Sequence, residues 1–196
     1  MDDEQIRQAV FDAKEALVAK CLPTDTTFLD RGEGTYAGAL TIEYVRRGLA
    51  EHGIPTSDRS VFIDGVPFEV DLIVPRNTTP PEHGILYQAE NVVAALEVRH
   101  AGVFVRGGTD HIRAYFERIQ VRCPGIWCAY VTLTEGQGYK WKVTSDNLRF
   151  PAYTLFWRGT LSGKPQYTST GDWVRFVNDL KERLSGVPSP QTAGVP

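Results

Sequence analysis

A chain of 196 residues, 42% hydrophobic and 23% charged, is long enough for one domain with a sizeable core and has the composition of an ordinary soluble globule. Its formal net charge of −3 excludes a protein that coats nucleic acid by bulk positive charge, but leaves room for a local basic groove. No apolar run approaches ~18 residues, so no membrane partner is expected. Cys21, Cys123 and Cys128 are odd in number and lack zinc-ligand spacing, which points to a reduced, cytoplasmic setting.

In chain order, Asp3 to Lys20 reads as a first helix, with Ile6, Val10, Ala13 and Leu17 on one apolar stripe. Asp30-Arg31-Gly32-Glu33-Gly34 reads as a glycine-punctuated turn. A second helix is predicted from about Tyr36 to His52, stopped by Gly53, with Leu40, Tyr44, Val45 and Leu49 facing inward. Ser60 to Ile63, the Asp64-Gly65 turn and Val66 to Val74 read as a hairpin, because Asp-Gly suits positive φ at both turn positions. Arg76 to Gln88 is a polar loop. Val92 to Arg99 is a strand rich in β-branched residues.

Thr109 or Asp110 can cap a third helix running from His111 to about Arg122. The run Ile126 to Leu133 is a further strand. A strand, helix, strand connection of this length implies parallel pairing between Val92–Arg99 and this strand. Lys140 and Lys142 flank Trp141 in a loop or hairpin. Tyr153 to Trp157 is predicted to be an edge strand, and Asp172 to Leu184 a final amphipathic helix. The expected organisation is one domain over residues 1–184, with a core over about 36–133 and a disordered Pro/Gly/Ser-rich tail over 185–196. The fold class is α/β, a mixed sheet flanked by helices.

Two acids stand where acid is costly. Asp71 lies in Val70-Asp71-Leu72-Ile73-Val74, and Glu97 in Leu96-Glu97-Val98-Arg99. A carboxylate in a buried strand needs a cation, a metal or a solvent-filled cleft. Carboxylates on neighbouring strands, with a basic residue two places after the second, suggest a divalent-metal site. The plainer alternatives are a structural ion pair between Glu97 and Arg99 and a loop hydrogen bond for Asp71. Glu43 with Arg47 likewise has the spacing of a solvated helix pair.

The order helix, strand, strand, strand, helix, strand, with Asp71 in the second core strand and Glu97-Val98-Arg99 in the third, resembles the PD-(D/E)XK nuclease-like superfamily. The Arg31-Gly32 turn, the Glu43 helix and the stretch from Glu90 to Val98 also look like one bacterial branch of it whose function is not established. The resemblance implies a restriction-endonuclease-like fold with an α-β-β-β-α-β core. It implies a Mg2+ (or Mn2+)-dependent nuclease acting on DNA, in defence or DNA processing. Asp71 and Glu97 would be metal ligands, with Glu43 as an optional third acid. Arg99 falls where the family has its catalytic lysine. An arginine stays protonated and cannot act as a base, but it can anchor a phosphate.

Arg46, Arg106, His111, Tyr115, Lys140 and Lys142 are the candidate nucleic-acid contacts, and a homodimer or partner protein would complete the unit. The alternative is a catalytically degenerate nuclease fold that acts as a nucleic-acid-binding or protein-interaction module.

Overall fold

In the computed structural model, the structure describes residues 26–58, 60–101, 108–136, 143–161 and 164–186. The expected helix at Asp3–Lys20, the candidate contacts Arg106, Lys140 and Lys142, and nearly all of the expected tail lie outside these residues. Helix α1 spans Thr26–Glu51. Two short strands, β1 (Phe62–Ile63) and β3 (Leu86–Tyr87), pair in parallel as a separate small sheet. The main sheet has five strands in the order β2-β4-β5-β6-β7. Its members are β2 (Leu72–Pro75), β4 (Val92–Ala101), β5 (Trp127–Gly136), β6 (Ala152–Leu161) and β7 (Lys164–Ser169). Helix α2 (Gly108–Arg122) connects β4 to β5, the short α3 (Ser145–Leu148) precedes β6, and α4 (Asp172–Ser185) follows β7.

The sheet is mixed. β4, β5 and β6 run parallel, while β2 and β7 are antiparallel to their neighbours. The parallel β4–β5 pairing through α2 is the one implied by the sequence. Side-chain alternation along β4 divides the core in two. Ala94, Leu96 and Val98 pack with Leu72, Tyr44, Val45, Leu49, Phe176 and Leu180, on the face covered by α1 and α4. Ala95 packs with Ile73, Phe116, Ile119 and Tyr130, on the face covered by α2. Helices therefore lie on both faces, as expected of strands this apolar.

Four sequence expectations are corrected. Residues 30–34 are not a turn, because one continuous helix runs from Thr26 to Glu51. Glycine lowers helix propensity by about 1 kcal/mol without forbidding the helix, and the apolar contacts of Val45 and Leu49 further along α1 anchor it to the core.

The Asp64-Gly65 turn is present, closed by Val66 N–H donating to the Ile63 carbonyl at 2.9 Å. Only Gly65 has positive φ, at 81°. A turn of that kind splays the flanking segments, and Pro67 has no N–H to pair. The returning segment therefore meets its partner only at Val61–Val70, and regular strand begins at Leu72. The polar loop at 76–88 contains β3. Finally, β6 is longer than expected and is not the edge, since β7 pairs along its outer side.

Candidate metal centre

The site begins with strand register. Leu72 is paired with Leu96 and Ile73 with Ala95 in the antiparallel β2–β4 ladder. Extending that register by one residue sets Asp71 opposite Glu97 on the α2 face. Directly opposed residues hold their Cβ atoms about 4.5–5.5 Å apart. The Asp71 carboxylate accepts the Val98 N–H at 3.0 Å, which fixes its orientation against β4. The two carboxyls thus face one another across the ladder, close enough for the charge of Asp71 to act on Glu97.

Burial sets the electrostatics. Glu97 is only 7% exposed. Burial first, then the Asp71 charge, push its carboxyl up to about 7, against the partial opposition of Arg99. Asp71 is also raised by burial, with the Val98 N–H and the Arg99 charge opposing. Two acids that cannot both ionise without a counter-charge are a poor structural motif and a good cation site. Arg99 donates to Glu97 from the same strand. Burial opposes its charge, but Glu97 and Asp71 outweigh this and raise its pKa. Its side chain stays 54% exposed, so part of the guanidinium faces solvent.

These groups open on a cavity of about 330 Å3 lined by Ser60, Glu69, Asp71, Glu97, Arg99, His111, Ile112 and Tyr115. His111 and Tyr115 come from α2, as their one-turn spacing requires. The Tyr115 hydroxyl donates to the Glu69 carbonyl at 3.0 Å and its ring stacks on Phe68 at 4.7 Å, tying the segment before β2 to α2. Burial raises the Tyr115 pKa above the ordinary phenol range. Asp71 and Arg99 also border a second cavity of about 530 Å3 on the α1 side, with Ile42, Val98 and His100 in its wall.

Five candidate residues thus converge: Asp71, Glu97, Arg99, His111 and Tyr115. Glu43 and Arg46 do not line either cavity. Glu43 accepts from Arg46 at 2.8 and 3.0 Å and from Arg47 at 2.6 Å, and Arg46 also reaches Asp58 at 3.3 Å. The Arg46 bond, aided by Arg47, holds the Glu43 carboxyl down at about 2. Its charge is already matched on α1. Among the described residues, no cluster of three His, Cys, Asp or Glu side chains is close enough to hold a metal by itself.

Ser60 and Glu69 are cavity residues not singled out as candidates by the sequence. Glu69 shares strand parity with Asp71, which in the sequence puts the two on one face and leaves open whether Glu69 joins the acids. Ser60 carried no signal, because its place depends on the splayed turn.

No family model matches the chain, and no curated protein matches it. Among solved structures, the cAAA-bound form of P. aeruginosa NucC is similar over 95% of this chain and 91% of that one, at 13% identity and a TM-score of 0.54. The cAAA-bound form of E. coli NucC matches over 92% and 90%, at 11% identity and a TM-score of 0.54. Its apo form matches over 91% and 90%, at 12% identity and a TM-score of 0.50. The chain has a restriction-endonuclease-like fold. In this fold the mixed sheet and its flanking helices are accounted for across nearly the whole chain, beyond the α-β-β-β-α-β core alone.

Proposed function

We propose that this protein is a divalent-metal-dependent nuclease that hydrolyses phosphodiester bonds of DNA. Asp71 and Glu97 would hold Mg2+ or Mn2+. The observation that carries the proposal is the pair of buried carboxyls that the β2–β4 register sets opposite one another, on one cavity with Arg99. The donor set fits a hard cation: two carboxylates in a partly open cavity leave room for the waters that Mg2+ retains. When bound, such an ion lowers the pKa of a coordinated water and offsets charge on the phosphoryl oxygens.

The chain's own residues do the rest. The Val98 N–H holds Asp71 in place, and Arg99 holds Glu97. The exposed part of the Arg99 guanidinium can donate to a phosphate oxygen, a role that needs no proton transfer. Tyr115, committed to the Glu69 carbonyl, shapes the wall rather than exchanging protons. His111 lines the same wall within reach of an incoming strand. A nucleic-acid substrate and an oligomeric assembly accord with the fold, and a setting in defence or DNA processing is part of the same proposal.

The Glu97–Arg99 ion pair favours a second reading, in which the guanidinium occupies the acid and the fold binds nucleic acid without cutting it. Plasmid and single-strand cleavage assays with Mg2+ or Mn2+ separate the two, using wild type, Glu97→Ala and Arg99→Lys. The nuclease proposal expects wild-type cleavage that Glu97→Ala abolishes. Cleavage appearing only in Arg99→Lys would establish the binding module instead, and cleavage surviving Glu97→Ala would remove the proposed centre.

A further inference from the structure

A third cavity, of about 420 Å3, lies at the other end of the parallel strands. Val93 and Trp127, at the starts of β4 and β5, form its floor, and Arg76, Gln120 and Arg183 stand in its wall. Val93 precedes Glu97 by four positions, about 13 Å of strand, and the direction of β4 sets the two sites at opposite ends of the sheet. The three polar residues arrive from three separate elements. Arg76 directly follows β2, Gln120 is in the last turns of α2, and Arg183 is in the last turn of α4.

Among the described residues, five arginines, Arg46, Arg47, Arg99, Arg113 and Arg175, are neutralised in ion pairs, whereas Arg76 and Arg183, like Arg118, Arg122, Arg149 and Arg158, are not. Of these six, only Arg76 and Arg183 border this cavity. Arg76 donates through Nε to the Glu90 carbonyl at 3.3 Å, which leaves its terminal nitrogens uncommitted to any described acceptor. The Arg183 guanidinium lies over the Trp127 ring, 5.9 Å from its centroid. That contact orients the group without neutralising it. The Gln120 side-chain amide likewise has no partner among the described residues. A helix C-terminus attracts a cation and so accounts for Arg183. It does not account for Arg76, which lies on no helix, nor for the convergence of both on one cavity.

We infer that this cavity is a second, non-catalytic binding site for a phosphate group carried on a nucleoside. Two exposed guanidiniums on the rim of one cavity can each donate to phosphate oxygens, and Gln120 can add an amide donor. Trp127 lines the same cavity and adds apolar surface beside the phosphate position for the attached base. The phosphate can come from a free nucleotide or from the phosphorylated end of a nucleic-acid strand, since both present the same group. The inference stands apart from the metal centre and does not require it.

The test is isothermal titration of the full chain with inorganic phosphate, AMP, adenosine, and a short oligothymidylate with and without a 5′-phosphate. The expected result is binding of AMP or of the 5′-phosphorylated strand, with adenosine much weaker. Each of Arg76→Gln and Arg183→Gln should weaken that binding on the order of ten-fold, while Glu97→Gln leaves it unchanged. AMP binding assigns the site to free nucleotides, and preference for the 5′-phosphorylated strand assigns it to strand ends. Thermal unfolding of both arginine variants checks that they fold. As an independent readout on wild type, the bound probe should shift the Trp127 indole N–H and Gln120 side-chain amide resonances in NMR spectra, and not those of Trp173. Absence of phosphate-dependent binding, binding indifferent to both arginine substitutions, or shifts confined to other residues would each overturn the inference.

Discussion

Two clusters in this protein are built from the same residue types and behave in opposite ways. On α1, Glu43 lies between Arg46 and Arg47, part-exposed, and its carboxyl is pulled down to about 2. On the sheet, Glu97 lies between Asp71 and Arg99, nearly sealed from solvent, and its carboxyl is pushed up to about 7. In the first cluster two cations serve one anion, and the charge is satisfied. In the second, two acids share one cation within a low-dielectric pocket, and the charged form of each acid is disfavoured. An acid beside an arginine is therefore not in itself informative. What marks a site is an excess of buried negative charge that only an added cation can relieve.

The largest expected effect tests whether the sheet cluster is catalytic. Asp71→Asn should lower Mg2+-dependent cleavage by about 10³-fold or more, measured by initial rates on plasmid DNA. Glu43→Gln should leave the same rate within about two-fold, because its charge lies on α1 and outside both cavities that Asp71 borders. Equal losses in the two variants would erase the contrast drawn here.

Stability without metal offers the next test, and the sign differs between the clusters. A folded carboxyl raised from 4.5 to about 7 stabilises the fold fully below the unfolded value, and that contribution is lost as pH rises through about 7. In EDTA, wild type should lose on the order of 2–3 kcal/mol between pH 4.5 and 7.5, and Glu97→Gln should lose much less over that window. Denaturant unfolding at several pH values would measure it. A Glu97→Gln curve parallel to wild type would contradict the raised Glu97 carboxyl.

For Glu43 the window is reversed. Its lowered carboxyl stabilises the fold above 4.5, and the contribution disappears as pH falls through about 2. With its part-exposed side chain, Glu43→Gln should cost a few tenths of a kcal/mol at neutral pH, seen as a small fall in Tm. A smaller refinement concerns Arg99, whose charge opposes the rise of Glu97. Arg99→Gln should move the pH midpoint of metal binding upward, because less positive charge then holds the acid ionised.

Much of this was legible in the chain. The β-branched run at Val92–Arg99, the helix after it and the apolar strand at Ile126–Leu133 announced the parallel core, and strand parity set Glu97 and Arg99 on one face. The opposition of Asp71 to Glu97 followed from the same alternation once β2 was antiparallel to β4. Other features depended on contacts that no local pattern carries. β7 begins Lys164-Pro165-Gln166, which has little strand signature, and exists because β6 offers it an edge. The continuity of α1 through Gly32 and Gly34 depends on packing further along the helix. Glu43 was an optional third ligand by resemblance alone, while its spacing to Arg47 read as a solvated ion pair, and in the structure it pairs with Arg46 and Arg47. The Arg76–Arg183 cavity joins residues remote in sequence and left no motif to find.

The most direct measurement is Mn2+ titration of wild type and Glu97→Gln by calorimetry near pH 7, repeated in buffers of different ionisation enthalpy. Because burial and the Asp71 charge favour the protonated form of Glu97, wild type should bind Mn2+ with release of a proton at or below pH 7, bind more tightly as pH rises towards about 7 and level off above it, and lose the site in Glu97→Gln. Binding of equal strength in both proteins, or binding in wild type with no proton released, would contradict the assignment of Asp71 and Glu97 as the metal centre.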